Sequence, residues 1–286
     1  MRKFCVLAAI LAVGLATSAC DIQAGNGKFD IDIASGKATE TWSRTYKLAD
    51  KGRFELINVN GKITAEATDG NELIVEGHKT AKARSDEAAK ELLTKMEIRE
   101  EAGESTVRVE SRPPRINGPF SGHEIEWTIK VPKGVILDLR TTNGGVRLNN
   151  LTNEVHAKST NGGVRGVNID PTIVEASTVN GGIELELTTP LETSDSIDME
   201  AVNGGVTLQL LPESKASIEA RCVNGGVKVE EGLQIKRDDE EQGPGHEFER
   251  RRRLTGTMNG GGAHVRMSTT NGGVHLSFVE GRKKTT

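Results

Sequence analysis

The stretch TTNGGVRL, Thr141–Leu148, is written again as STNGGVRG at Ser159–Gly166. TVNGGIEL (Thr178–Leu185), AVNGGVTL (Ala201–Leu208), CVNGGVKV (Cys222–Val229) and TTNGGVHL (Thr269–Leu276) follow. A looser seventh copy, NVNGKITA, occupies Asn58–Ala65. The copies align on Asn60, Asn143, Asn161, Asn180, Asn203, Asn224 and Asn271. Six residues before each Asn stand Phe54, Leu137, Val155, Val174, Ile197, Ile218 and Val265. Positions −4 and −2 are also small or apolar, as are +3 and +5, whereas the positions between are mostly polar. This is period-2 alternation on both sides of Asn-Gly, the mark of strand, corner, strand with one face inward. The step from −2 to +3 is odd, so the corner must reset the phase. A glycine at positive φ does this without steric cost.

If Asn-Gly closed a tight hairpin, the two flanking strands would pair with each other. If it bends one strand into the next, pairing runs between repeats. The spacings from Asn143 to Asn224 are 18, 19, 23 and 21 residues, with every position kept in class. A near-constant period favours stacked coils. Like residues then lie about 4.8 Å apart, and Asn stacks on Asn. A single coil of some 20 residues cannot support itself, so the array is the folding unit. The predicted fold is therefore all-β: a β-solenoid with coils of about 20 residues. Its one short helix is placed within 85–99, capped by Ser85 and with Leu92, Leu93 and Met96 on an apolar side.

Composition agrees. The 286 residues include 33 Gly, 35% hydrophobic and only 3% aromatic residues, which suits a thin core of Val, Ile, Leu and Ala. A net charge of −4 argues against a nucleic-acid partner. The first 20 residues have a basic start (Arg2, Lys3), an apolar run (Phe4–Ala16) and a small-residue end, as an export signal does. Ser18 and Ala19 before Cys20 resemble a bacterial lipobox, with Thr17 where Leu is usual. Acylation of Cys20 is the first expectation, and ordinary cleavage after Ala19 is the alternative. Asp21 resembles an inner-membrane retention signal, which places the protein on the periplasmic side of the inner membrane if the cell is Gram-negative. Cys222 then has no disulfide partner in the mature chain. The expected division is a signal peptide (1–19), a lipid-anchored tether (20–38), an N-terminal β part (39–134) and the repeat array (135–280). A charged insertion at 230–253 interrupts the array.

The TxNGxV repeats, the entry VPKGVILDLRTTNGGV (131–146) and the late stretch RRRLTGTMNGGGAHVRMSTTNGGVHL (251–276) resemble the bacterial putative-adhesin domain family. The resemblance spans about residues 40–278. Family members more often carry Asn-Gly-Asp. The resemblance implies an exported or membrane-linked, right-handed, single-stranded β-helix of largely undefined function, with no catalytic residues to carry over.

Glycine loops that cradle phosphate need a following helix, and here strands follow. The corners lack the Asp that calcium nonapeptide repeats use. The six His show no metal-ligand spacing, and His264 and His275 are candidates only for neighbours on adjacent coils. Outward residues at +4 (Arg147, Arg165, Glu184, Thr207, Lys228, His275) contain no acid pair of the kind glycosidases need. Trp42 and Trp127 are candidate sugar platforms or end caps. No cofactor and no metal are expected. The candidate binding face comprises Arg147, Lys158, Arg165, Lys228 and the arm residues Arg250, Arg251, Arg252 and Arg253. The expected function is a non-catalytic envelope lipoprotein binding an envelope protein or polysaccharide. An envelope-stress regulatory or scaffolding role is the alternative. A carbohydrate-active enzyme is third, and two or three carboxylates in one groove would favour it.

Overall fold

A computed structural model describes residues 36–114, 121–170, 172–237 and 252–279. The N-terminal part begins with β1 (Gly36–Tyr46), β2 (Arg53–Asn60), β3 (Ile63–Ala67) and β4 (Leu73–Ala83). Helix α1 (Asp86–Thr94) follows, then β5 (Glu97–Ala102), β6 (Thr106–Arg112) and β7 (Gly122–Val131). Ser85 caps α1 by accepting from the Ala88 N–H. Strand pairs then alternate with corners: β8 (Ile136–Asn143) and β9 (Val146–Asn149), β10 (Val155–Asn161) and β11 (Val164–Ile169). Next come β12 (Ile173–Asn180) and β13 (Ile183–Leu187), β14 (Ser196–Asn203) and β15 (Val206–Leu210). They are followed by β16 (Ala216–Asn224), β17 (Val227–Val229), β18 (Ile235–Arg237) and β19 (Arg253–Met258). The last pair is β20 (Ala263–Asn271) and β21 (Val274–Phe278).

The protein is all-β with one short helix among the described residues. The strands form two large mixed sheets. Sheet A runs β1-β4-β7-β3-β9-β11-β13-β15-β21-β17, and sheet B runs β18-β19-β16-β20-β14-β12-β10-β8-β2-β6-β5. Each Asn-Gly repeat contributes its first strand to sheet B and its second to sheet A, and both pair in parallel with the same strands of neighbouring repeats. We call one such pair a rung. Register is kept around the corners: Val155 lies against Leu137 and Val174, and Asn161 against Asn143 and Asn180; it shifts by one residue where β11 meets β13, between Gly166 and Ile169. The −6, −4 and −2 side chains are buried in every rung, joined by +3 and +5 in all but the Val227/Val229 rung, where these are half-buried. One continuous core lies between the sheets.

The −2 row does more than fill space. Thr141, Ser159, Thr178 and Thr269 donate through their hydroxyls to the carbonyls of Gly61, Gly144, Gly162 and Gly204, at 3.2, 2.8, 2.7 and 2.8 Å. The Cys222 thiol does the same to Gly272 at 3.1 Å. Ala201 occupies this row without a donor. Ala201→Ser is therefore expected to stabilise the protein by about 1 kcal/mol, read as a melting temperature raised by roughly 2–4 °C. A lowered value would mean that the site beside Gly181 has no room for a hydroxyl.

Rung order departs from chain order at both ends. Stacking in the order of the sequence would put the Asn224 repeat directly on the Asn203 repeat. Instead β20/β21 sits between β14/β15 and β16/β17. At the other end β2/β3 sits between β6/β7 and β8/β9, so residues 106–131 supply a rung without an Asn-Gly-Gly corner among the described residues. Chain order would bring Asp198 and Glu219 side by side. The observed order sets Arg266 between them as the register partner of both. Like charges directly opposite are unfavourable and opposite ones favourable; the observed order gains the Asp198–Arg266 contact and gives up the Glu200–Arg221 contact that chain order would make, with Ser268 between them instead. The ends differ from the stretches first assigned to them. β1 begins at Gly36, inside the stretch read as tether, and β18 and the start of β19 fall within the stretch read as a loop or arm. β19 pairs antiparallel with the outer edge of β16. Asn259, at φ 50°, turns the chain from β19 into β20 and donates to the carbonyls of Pro212 and Ser214.

Candidate functional site

The corner asparagines lie in one file along the stack. Asn143 donates to Asn60 at 2.7 Å, Asn161 to Asn143 at 2.8 Å and Asn180 to Asn161 at 2.9 Å. Asn203 donates to Asn180 at 2.9 Å, Asn271 to Asn203 at 2.8 Å and Asn224 to Asn271 at 2.7 Å. An amide both donates and accepts, so identical side chains can link head to tail. An ionised Asp in every rung would only accept. The Asn60 amide ends the file on His123 Nε2 at 3.0 Å. The file ties rungs together and leaves the outer sheet faces to carry chemistry.

The structure divides the residues predicted to form a binding face. Arg147 and Arg165 are neighbours on the outside of sheet A, and Lys228 lies on the same sheet but four rungs beyond Arg165. Lys158 points from sheet B. They do not form one patch, because +4 and −3 lie on opposite sides of the corner. Arg253 pairs with Glu219 at 3.8 Å. Arg252 lies beside it, its carbonyl accepting from the Cys222 N–H. Arg250, Arg251 and Cys20 lie outside the described residues. His264 and His275 share a rung but lie on different sheets, so they are not neighbours across rungs. Trp127 is fully buried, with Trp42 packed edge-on at 5.6 Å, so Trp127 is part of the core near the N-terminal end and not a sugar platform.

The site that does assemble is a groove of about 430 Å3 across the outside of sheet B, over β8, β10, β12 and β14. Two outward rows build it, five and three residues before the Asn. Asp138, His156, Glu175 and Asp198 succeed one another in register, as do Arg140, Lys158, Ser177 and Glu200. Arg140 grips Asp138 through two hydrogen bonds, at 2.8 and 2.7 Å. His156 contacts Glu175 through Nδ1 at 2.7 Å and Glu154 through Nε2 at 3.0 Å. Glu175, Asp198 and Glu200 bring three carboxylates into the groove. Burial pushes the Asp198 carboxyl above its ordinary range, and Glu200 and Glu175 add to this against Arg266 and His264. These carboxylates lie in the −5 and −3 rows, whereas the +4 row holds no acid pair. Reading the −5 row across the repeats would have found Glu175 and Asp198.

For His156, burial lowers the imidazole pKa, but the hydrogen bonds and charges of Glu154 and Glu175 outweigh it and the net shift is upward. A raised folded-state pKa contributes stability that is complete below the unfolded value of about 6.5 and is lost as pH rises through the folded value. The wild type should therefore exceed His156→Gln in melting temperature most at about pH 5.5 and least at about pH 8.5. An advantage that grows with pH would contradict a charged imidazolium clamped between the two carboxylates.

No family model matches the chain, and no curated protein matches it. Among solved structures it is similar to a putative cell adhesion protein from Clostridium sporogenes, with 12% identity over 84% of this chain and 100% of that one, at a TM-score of 0.48. It is also similar to a putative adhesin from Bacteroides fragilis (10% identity, 82% of this chain and 96% of that one, TM-score 0.28). A third is a putative lipid binding protein from Parabacteroides distasonis (9%, 82% and 96%, TM-score 0.33). Two of the three are described as adhesion proteins.

Proposed function

We propose that this chain is an exported, non-catalytic binding protein of the bacterial envelope, with the sheet B groove as its contact surface. In this reading the two sheets are the walls of a right-handed β-solenoid, and an acyl group on Cys20 holds it at a membrane. The observation that carries the reading is the groove itself: two in-register rows of charged side chains on a scaffold locked by the Asn file. Such a surface is rigid before it binds, so little ordering cost opposes association. The test is co-sedimentation of the mature protein with isolated cell envelopes. Lys158→Ala/Glu200→Ala should reduce the bound fraction at least severalfold. Equal retention would remove the groove from the proposal. Radiolabelled palmitate should enter the wild type and not Cys20→Ala, and equal labelling would overturn the anchor.

The three carboxylates favour one second reading, a carbohydrate-active enzyme in which Asp198, protonated more readily than an ordinary carboxyl, serves as acid. Release of reducing ends from envelope glycans, abolished by Asp198→Asn, would support it.

A further inference from the structure

The charges in the groove do not all cancel. Arg140 is engaged by Asp138, and His156 by Glu154 and Glu175. Lys158 has no ion-pair partner among the described residues. It stands on β10 and lines the groove. Two rungs away Glu200 is likewise unpaired, beside Asp198. Asp198 faces Glu175 on one side and Arg266 on the other. Ser177 lies between Lys158 and Glu200 in register and carries no charge. The unpaired charges are thus dipolar along the stacking axis: Lys158 towards one end, Glu200 beside Asp198 at the other, with Ser177 and the His156–Glu175 pair between them.

We infer that the groove binds a short extended peptide as a zwitterion, with its carboxylate over Lys158 and its ammonium over Asp198 and Glu200. This rests on the groove being the contact surface proposed above. The length follows from geometry. Two rungs span roughly 10 Å at about 4.8 Å each. An extended chain advances about 3.3–3.6 Å per residue, so three residues match that span. The energetic case is relief of like charge. Asp198 and Glu200 share β14, and Asp198 stands directly against Glu175 on β12; like charges so placed repel, and a ligand ammonium seated there replaces repulsion with attraction. A ligand carrying only one charge would satisfy one end and leave the other exposed, so recognition depends on both ends.

The test uses the mature protein and three probes: trialanine, N-acetyl-trialanine and trialanine amide, titrated by NMR. Trialanine should bind at least tenfold more tightly than either capped form. Lys158→Glu and Glu200→Lys should each weaken trialanine at least tenfold. The double variant Lys158→Glu/Glu200→Lys should recover part of the loss, because the peptide can turn end for end. These side chains are exposed, and unchanged circular dichroism would confirm that each variant stays folded. Equal affinity for all three probes, or a double variant no better than the singles, would overturn the inference. Absence of trialanine binding alongside normal envelope retention would overturn the peptide ligand and leave the proposed function standing. Loss of both would overturn the two together.

Discussion

Gly204→Ala is expected to leave no stable folded protein, whereas Gly205→Ala should shift the melting temperature by only a few degrees. The two glycines are adjacent in one corner and differ in what surrounds them. Gly204 has φ 155°, and a Cβ there would lie 1.9 Å from the Gly181 carbonyl oxygen and 2.5 Å from its carbon. Both atoms are backbone, so a whole rung would have to move. At Gly205 the nearest atom is the Gly273 carbonyl oxygen at 3.5 Å, ordinary contact. The chain itself carries the comparison: the first repeat reads Asn60-Gly61-Lys62, with a side chain at the second position and glycine kept at the first. A clash of this kind, propagated through a stack, exceeds the 4–5 kcal/mol that marks exceptional substitutions. Thermal unfolding of both variants decides it, and similar melting temperatures would show that the corners can spread.

Val206→Asp should likewise abolish folding, while Thr207→Asp on the next residue should be tolerated. Val206 is fully buried on β15, in register with Ile183 and Val274. A carboxylate there has no partner and must either ionise in an apolar interior or take up a proton, and each costs several kcal/mol. Thr207 points outward, with Glu184 and His275 as register partners. If circular dichroism finds Val206→Asp as well folded as Thr207→Asp, the alternation is one residue out of phase.

These predictions draw on what was legible in the repeats. Alternation is local: the period is set by the pleat, and the phase reset by one glycine, so burial of Phe54, Leu137 and Val155 at −6 could be read without knowing any neighbour. The capped helix was legible for the same reason, since Ser85 and the apolar residues after it lie within a few turns. The rung formed by β6 and β7 was not legible. The sequence between its two strands, PPRINGPFSG, breaks the repeat spacing, and only pairing with β2 and β3 reveals β6 and β7 as one more layer. The hydroxyl file at −2 was half legible: the small polar residues were visible, but their acceptors belong to another rung.

The groove shows the division most plainly. That Asp138, His156, Glu175 and Asp198 face outward follows from their place five residues before an Asn. That Asp198 has Arg266 beside it, and not Glu219, follows only from the intercalation of the last repeat. The sequence by itself determined which side chains are inside and which outside, because that depends on a two-residue period and a glycine corner. Tertiary structure alone decided which outward side chains became neighbours. Every rung offers much the same apolar interior, so burial accepts many orders of stacking, and the neighbours of each outward charge follow only from the order the folded chain adopts.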